Sequence, residues 1–265
     1  MAEATETIGT PSLAGRVVIL AYAALAYLAF LAVFVTFILW SVGVLLPRTV
    51  DSTPLLSMAP GTTGALAIDV ALIALFGLQH SGMARRTFKA RLTRVLPPPA
   101  ERATFVWVSN AVLALLVLAW QPLPTLVWQA DGAIRTLLLG LNAGAWLLAI
   151  AATYMVNHFD LFGLEQAWTH FRGRAQSSPR FVTRFAYRFV RHPLMTGIVL
   201  GLWIVPTMSW GHLLLSVGLT GYILVGTRIE ERDLVRLFGE RYRQYRRQVP
   251  MMFPRPGVSV DAADD

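Results

Sequence analysis

Six stretches of the chain are apolar enough to lie in a lipid bilayer, and polar or basic segments separate them. They cover residues 17–46, 65–80, 103–120, 134–156, 194–209 and 212–228. A helix needs roughly 20 apolar residues to cross about 30 Å of hydrocarbon, so the first four stretches predict transmembrane helices. The last two are short and are joined by PTMSWG, which predicts a tight turn within a helical hairpin. The pattern therefore predicts an all-α, polytopic transmembrane bundle of five to six membrane segments.

The composition supports a membrane protein. Only 14% of the residues are charged, 55% are hydrophobic and the mean hydropathy is +0.54, whereas soluble domains carry about 25% charged residues. The first stretch is too long for a signal-peptide core, and Arg16 is the only basic residue before it, so we expect it to be retained. The chain has no cysteine, which excludes disulfides, thiolate metal sites and a cysteine nucleophile.

The basic residues indicate an orientation. Of the 23 Lys and Arg residues, all but Arg48 and Arg135 fall on one side of the predicted membrane. By the positive-inside rule, the N-terminus, two basic loops and the C-terminal tail are predicted to be cytoplasmic, in a bacterial inner membrane. The net charge of +8 is then a topology signal, and we expect a lipid bilayer, not nucleic acid, as the partner.

Polar side chains gather at the predicted cytoplasmic ends of four segments. They are Gln79 and His80, then Asn157, His158 and Asp160, then Arg191 and His192, and finally Glu230 and Glu231. Interfacial solvation and salt bridges would explain each cluster alone, but four clusters at one depth predict a pocket open to the cytoplasm. Two further polar residues, Asn110 and Asn142, lie in the middle of spans and predict hydrogen bonds between helices.

The C-terminal region has a helical pattern of its own. Positions 234, 238, 242, 245 and 249 are apolar or aromatic, and the opposite face is rich in arginine. This spacing predicts an amphipathic cytoplasmic helix, either on the membrane surface or as a lid over the pocket. We expect residues 1–265 to form one domain, with four transmembrane segments in 17–156, a ligand-binding region in 157–254 and a flexible tail in 255–265.

One long motif resembles a known family. R-H-P-x-x-x-G, a hairpin, and then R-x-E-E-x-x-L-x-x-x-F-G-x-x-Y-x-x-Y-x-x-x-V-P-x-x-x-P run from Arg191 to Pro254. This pattern resembles the isoprenylcysteine carboxyl methyltransferase family, integral-membrane enzymes that use S-adenosylmethionine. The upstream pieces GLQHSGMAR, ER.T.V, WQPLP and NHFDLFGL are most similar to methanethiol S-methyltransferases. One departure is Met195, which stands where the wider family often has a tyrosine.

The resemblance implies a cofactor site for S-adenosylmethionine at the cytoplasmic mouth of the hairpin. Arg191 would pair with the cofactor carboxylate, and Glu230 or Glu231 would accept the ammonium and ribose hydroxyls. The remaining cofactor-binding candidates are aromatic or lie in the motif itself: Tyr187, Tyr242, Tyr245, His192 and Pro193. Pro193 is predicted at the first helical position, where its missing N–H costs nothing.

The implied reaction is methylation of a small thiol, chiefly methanethiol to dimethyl sulfide. A simple alkyl thiol has a pKa above the value of about 8.5 for cysteine, so a base would help. The catalytic candidates are His158, ranked first, Asp160 and His80, with His192 less favoured. Candidate substrate contacts are Gln79, Asn157 and Phe159.

Three alternatives stay open. His80, His158, Asp160 and His192 could converge on a metal, but their spacing matches no known ligand motif, so no metal is expected. The methyl acceptor could instead be a larger lipid-like molecule, such as a prenylated thiol, a carboxylate or a phospholipid amine. A transporter or membrane scaffold is less favoured, because transport sites lie near the midplane and these polar residues lie at one face.

Overall fold

The chain folds mainly into α-helices, in a computed structural model that describes residues 12–58, 61–176 and 181–255. Five long helices in this part of the chain are α1 (Leu13–Val42), α2 (Thr62–Met83), α4 (Glu101–Ala119), α5 (Gly132–Val156) and α9 (Trp210–Phe238). Five shorter ones are α3 (Arg86–Leu92), α6 (His158–Leu161), α7 (Leu164–Phe171), α8 (Pro193–Trp203) and α10 (Glu240–Gln248). Two 3₁₀ turns, Pro98–Ala100 and Phe185–Arg188, and two strands, β1 (Leu126–Gln129) and β2 (Thr207–Ser209), complete the described elements.

The long helices are the membrane-spanning elements. Each of α1, α2, α4 (with its preceding 3₁₀ turn), α5 and α9 is long and apolar enough to cross a bilayer. Helix α8 has 11 residues and, at 1.5 Å per residue, reaches only about 16 Å. Residues 204–209 complete the path from α8 to the start of α9. The chain is therefore an integral membrane protein, and the predicted polytopic helical bundle is confirmed.

A small sheet replaces the tight turn expected at PTMSWG. Strand β2 pairs antiparallel with β1, with Trp128 opposite Met208. The indole of Trp128 also donates to the carbonyl of Val205 at 3.2 Å. Both strands lie at the end of the bundle where α4 ends and α9 begins, so they tie two otherwise separate connections together. Strands of three or four residues are too short to show a clear alternation of apolar and polar positions, so the sequence pattern did not predict the sheet.

Helix α8 packs chiefly against α5 and crosses it closely. A Cβ on Gly197 would stand 2.5 Å from the backbone nitrogen of Ala149 and 2.6 Å from the carbonyl oxygen of Ala145. Small residues that let two backbones approach are a common basis of helix association in membranes. Asn142 donates across the same interface to the carbonyls of Gly201 at 2.7 Å and Ile204 at 2.8 Å. The predicted interhelical role of Asn142 is confirmed.

Helix α1 covers α4 and reaches α7. Asn110 on α4 donates to the carbonyl of Ala26 on α1 at 3.1 Å, which confirms the second interhelical prediction. The core beneath these helices is aromatic, and Trp40 meets Trp120 edge-on with ring centroids 6.1 Å apart. Because α1 fixes α4 and α7 together, it also fixes the two elements that carry much of the polar cavity described below.

The C-terminal region differs from the single amphipathic helix expected. Helix α9 continues through Arg228 and Glu231 to Phe238, ten residues beyond the predicted span, and Gly239, with φ +61°, ends it. Helix α10 then turns back so that Tyr242 and Tyr245 pack among Phe181, Leu234, Val235, Phe238 and Val249. The apolar stripe thus packs against protein, with Tyr242, Tyr245 and Val249 buried and Leu234 and Phe238 partly buried. Of the predicted flexible tail, residues 256–265 lie outside the described part of the chain.

Candidate functional site

A polar cavity of about 1050 Å³ opens at the end of the bundle where α4 and α8 begin and α5 ends. Its walls come from α3, α4, α5, α6, α7, α8 and α9 and from the segment between α7 and α8. Charged wall residues are Lys89, Glu101, Arg102, Asp160, Glu165 and Glu230. Drug-sized ligands occupy pockets of about 300–1,000 Å³, so this volume suits a nucleoside-sized molecule together with a small one.

Carboxylates outnumber cations in this cavity. Glu101, Asp160, Glu165 and Glu230 face two cations, Lys89 and Arg102. The ammonium of Lys89 lies 3.7 Å from Glu101. Burial, and secondarily the neighbouring Glu165, raises the pKa of Asp160 above its ordinary value. Because carboxylate residues outnumber cationic ones in its walls, the cavity favours a ligand with positive charge.

The chain shapes this region with a sharp break after α5. Asn157 has an extended backbone and caps α6, accepting a hydrogen bond on its side-chain oxygen from the amide of Asp160 at 3.3 Å, a common role for asparagine at a helix start. Gly163 has φ +86°, and a Cβ there would lie 2.7 Å from the backbone nitrogen of Ala103. Only glycine fits both demands, and this close approach holds α6 and α7 against α4.

Arg102 was not singled out from the sequence, although it lies in the piece ER.T.V that contributes to the family resemblance. Its Nε donates to the carbonyl of Leu161 at 2.7 Å, and its guanidinium lies 4.7 Å from the ring centroid of Phe105. Glu165 and Gln166 were also missed. Gln166 donates to the carboxylate of Asp160 at 2.9 Å, while its own side-chain oxygen is buried without a hydrogen-bond partner among the described residues.

Apolar side chains form the part of the cavity nearest the bundle interior. Ala152 and Val156 come from α5, Leu161 from α6 and Leu194 from α8, with the hydroxyl-bearing Thr153 among them. The close α5–α8 crossing brings these residues together. The cavity thus offers a charged part for a water-borne group and an apolar part for a small uncharged one.

Arg191 and Glu231 are joined to each other. Nε of Arg191 donates to Oε1 of Glu231 at 2.6 Å, and the two side chains are only 10% and 5% exposed. His192 Nε2 lies 3.2 Å from the same oxygen, and Nε of Arg246 lies 3.3 Å from the other carboxylate oxygen. Arg191 also donates to the carbonyls of Arg246, at 3.1 Å, and Val249. This cluster fastens the start of α8 to the end of α10, and none of its side chains lines the cavity.

The remaining cofactor-binding candidates divide in two. Tyr187 and Glu230 line the cavity, and the Glu230 side chain is half exposed. Tyr242 and Tyr245 are buried beneath α9, where burial raises the pKa of both phenols. Tyr245 donates its hydroxyl to the carbonyl of Tyr187 at 2.6 Å, so it supports a wall residue without lining the wall. Pro193 opens α8, as predicted.

His158 is buried beside the cavity. Its Nδ1 lies 2.7 Å from the hydroxyl of Thr153 and its Nε2 lies 2.7 Å from the hydroxyl of Tyr27. The ring of Tyr154 stacks on the imidazole with centroids 4.0 Å apart. Burial lowers the pKa of His158, which favours the neutral ring. Asp160, in contrast, lies in the cavity wall.

The candidates on α2 face α4. Gln79 donates to the hydroxyl of Ser109 at 3.3 Å, and the ring of His80 lies 4.8 Å from that of Phe105. The guanidinium of the wall residue Arg102 lies over the ring of the same Phe105, 4.7 Å from its centroid. Among the substrate candidates, Asn157 lines the cavity, while Phe159 is half exposed and packs on His158 at 5.3 Å.

No group of three or more His, Asp or Glu side chains in the described ranges is placed to hold a metal ion. The four residues weighed as ligands, His80, His158, Asp160 and His192, therefore form no such group. Their nearest partners are hydroxyl, aromatic, amide and carboxylate groups.

Comparisons with known proteins agree on one family. The NnrU protein family matches residues 70–255. Methanethiol S-methyltransferase 2 of Bradyrhizobium diazoefficiens is 43% identical over 91% of each chain. Methanethiol S-methyltransferase of Mycobacterium tuberculosis is 40% identical over 91% of this chain and 98% of its own. Nurim of Sus scrofa is 31% identical over 64% of this chain and 68% of its own. No solved structure matches the chain.

Proposed function

The chain belongs to the NnrU family, among its methanethiol S-methyltransferases, and from this we propose that it methylates methanethiol to dimethyl sulfide with S-adenosylmethionine as methyl donor. The observation that carries the proposal is the cavity, whose charged part adjoins an apolar part formed by α5 and α8. A nucleoside-sized cation and a thiol of a few atoms need these two environments side by side. We propose that residues 1–265 act as one methyltransferase domain.

The cavity residues fit the proposed cofactor. S-adenosylmethionine carries an ammonium and a sulfonium against one carboxylate, so the surplus of carboxylates complements it. Glu230 and Asp160 would accept the ammonium and hydroxyl groups, Lys89 or Arg102 would pair with the carboxylate, and Tyr187 would cover the adenine. When bound, the cofactor supplies an electrophilic methyl group on sulfur.

The protein's contribution is chiefly positioning. Holding two reactants in line can be worth several kcal/mol of the barrier. The apolar part of the cavity, formed by Ala152, Val156, Leu161 and Leu194, would hold the thiol against the methyl group and exclude water. Methanethiol has few heavy atoms, and the binding free energy of a small ligand is at most about 1.5 kcal/mol per heavy atom. Its affinity should therefore be weak, and selectivity for methanethiol should come from steric exclusion of larger thiols. Longer thiols should be rejected sterically.

Arg191 and Glu231 need a refined role. The family resemblance implies that both bind the cofactor, whereas in the structure they pair with each other at 2.6 Å and neither is among the residues that line the cavity. We propose that they hold the mouth of the cavity in shape by joining α8 to α10, and that Glu230, next to Glu231, is the acidic ligand. His80 would act on the cavity wall through Phe105 and Arg102, while Gln79 would hold α2 to α4 through Ser109.

The proposed location is a bacterial inner membrane with the cavity facing the cytoplasm, where the cofactor is made. The Lys and Arg bias supports this orientation, and methanethiol, a small apolar molecule, can reach the apolar part through lipid.

Purified protein tests the function directly. Titration calorimetry should detect binding of S-adenosylmethionine, and headspace gas analysis should detect dimethyl sulfide once methanethiol is added. Glu230→Gln should weaken cofactor binding. Glu240→Gln should not, because Glu240 is an exposed partner of Arg243 and Arg247 and does not line the cavity. Cofactor binding without dimethyl sulfide, but with methylated lipid detected by mass spectrometry, would replace methanethiol by a larger acceptor. Absence of cofactor binding would refute the proposal.

A further inference from the structure

His158 has no surface on the cavity, yet one wall residue touches it. Thr153 lies one turn before the end of α5, is 7% exposed and lines the apolar part of the cavity. Its hydroxyl has two acceptors within reach, the carbonyl of Ile150 at 2.6 Å and Nδ1 of His158 at 2.7 Å. It can donate to only one of them at a time. The hydroxyl of Thr153, a residue of the cavity wall, can therefore switch between the carbonyl of Ile150 and the imidazole of His158.

The far side of the imidazole completes a hydrogen-bonded chain. Nε2 of His158 lies 2.7 Å from the hydroxyl of Tyr27 on α1. When Nε2 carries the ring proton and donates it to Tyr27, Nδ1 is the acceptor, and the hydroxyl of Thr153 can donate to it. The tautomer is set by these neighbours. In this arrangement the oxygen of Thr153, a residue of the cavity wall, keeps a lone pair that can accept a proton.

We propose that Thr153 relays the thiol proton to His158 during methyl transfer, an inference that rests on the proposed function. The thiol S–H bond breaks as its proton passes to Oγ1 of Thr153, whose own hydroxyl proton passes to Nδ1 of His158. The sulfur electron pair forms the new bond to the methyl carbon, and the bond from that carbon to the cofactor sulfur breaks. The products are the neutral sulfide, the neutral thioether of the cofactor and an imidazolium that later releases its proton.

A purely structural threonine would not need the second contact. Serine and threonine inside helices commonly bond the carbonyl three or four residues earlier, and Thr169 on α7 does this with Glu165 and Gln166. Thr153 makes the same bond and also reaches His158. The lowered pKa of His158 keeps the ring neutral near pH 7, as a proton acceptor must be.

Other titratable groups around the relay are identifiable. Tyr27 of α1 and Tyr154 of α5 face the imidazole itself. The cavity in front of Thr153 is faced by the carboxylates Glu101, Asp160, Glu165 and Glu230 and by Lys89, Arg102 and Tyr187. The pH test below therefore compares variants that leave all of these groups in place.

The test compares Thr153→Val, which keeps the shape but removes the hydroxyl, with Thr153→Ser, which keeps the hydroxyl, and with the control Thr169→Val. Turnover of methanethiol at saturating cofactor is measured from pH 6.5 to 9.5. General-base help is typically worth 10²–10⁴-fold, so Thr153→Val should lose about 100-fold at pH 6.5 and less than tenfold at pH 9.5, where more thiol is already ionised. Thr153→Ser and Thr169→Val should follow the parent.

Two outcomes would overturn the relay: a pH profile for Thr153→Val parallel to that of the parent, or failure of Thr153→Ser to restore turnover. Nitrogen-15 NMR of labelled histidine gives a readout independent of turnover. Adding methanethiol should shift the Nδ1 signal of His158 in the parent and not in Thr153→Val. If the parent protein shows the NMR response but no turnover of methanethiol, the proposed function is refuted and the contact between Thr153 and His158 is supported. No NMR response in the parent would refute the relay.

Discussion

Replacing Arg191 by methionine removes the centre of the buried cluster that joins α8 to α10. The guanidinium contacts Glu231 at 2.6 Å and two carbonyls of the α10 region. Methionine fills a similar volume without charge or donors. The loss of Arg191 leaves the carboxylate of Glu231 buried with weaker partners, His192 at 3.2 Å and Arg246 at 3.3 Å.

The magnitude follows from burial. Removing one partner of a buried ion pair costs about 3–5 kcal/mol, and because Arg246 still reaches Glu231 we expect the lower end, about 3 kcal/mol. Arg243→Met is the matched control, since Arg243 and its partner Glu240 are 54% and 62% exposed. An exposed pair is worth about 0–1 kcal/mol, so this variant should differ little from the parent.

Melting in detergent, followed by the fluorescence of the eight tryptophans, measures the difference. At about 2–4 °C per kcal/mol for a chain of this size, Arg191→Met should melt roughly 6–12 °C below the parent at a fixed scan rate. A melting temperature within 2 °C of that of Arg243→Met would refute the structural role. If that stable protein also lost cofactor binding, Arg191 would be a cofactor ligand, as the family resemblance implies.

Two further predictions concern packing and topology. Gly197→Ala should lower the melting temperature by several degrees, because its Cβ would overlap Ala149 and overpacking costs about 1–3 kcal/mol. The control Gly140→Ala, whose Cβ would have nothing within 4 Å, should be neutral or stabilising. Equal effects of the two substitutions would contradict the close crossing of α5 and α8. Reporter fusions at residue 55 and after residue 257 should report opposite sides of the membrane, and a shared side would contradict the orientation.

The membrane spans were predictable because burial in lipid imposes long apolar runs. What the pattern misplaced was the end of α9, since Arg228 and Glu231 looked like the edge of a span. The helix continues because Arg and Glu are good helix formers and its later turns pack on Tyr242. Helix α9 ends at Gly239, whose backbone has φ +61°. The sequence pattern did not predict this end, because the apolar positions keep helical spacing on both sides of Gly239.

The candidate site was predictable in kind but less so in detail. Asn157, Asp160 and Glu230, from two of the four polar clusters expected at one depth, line one cavity together with Tyr187, while the clusters at Gln79 and Arg191 do not line it. The ion pair between Arg191 and Glu231 was not predicted, because the two residues are 40 positions apart and a sequence shows charged groups without showing which of them pair. The contact of Thr153 with His158 was also not predicted, because a threonine within an apolar helix carries no sequence signal of its partners.

The surplus of carboxylates makes a prediction about cofactor and product. S-adenosylmethionine has two positive groups, and S-adenosylhomocysteine, which lacks the sulfonium, has one. A half-exposed glutamate at the cavity, Glu230, should therefore favour the cofactor over the product, which assists product release. A hydrogen bond to a charged group is worth about 1.5–3 kcal/mol, so Glu230→Gln should weaken cofactor binding about tenfold or more and product binding less. Calorimetric titration of both ligands measures the ratio, with Glu240→Gln as control. Equal losses for the two ligands would show that Glu230 senses only the shared ammonium, and the argument from total charge would be wrong.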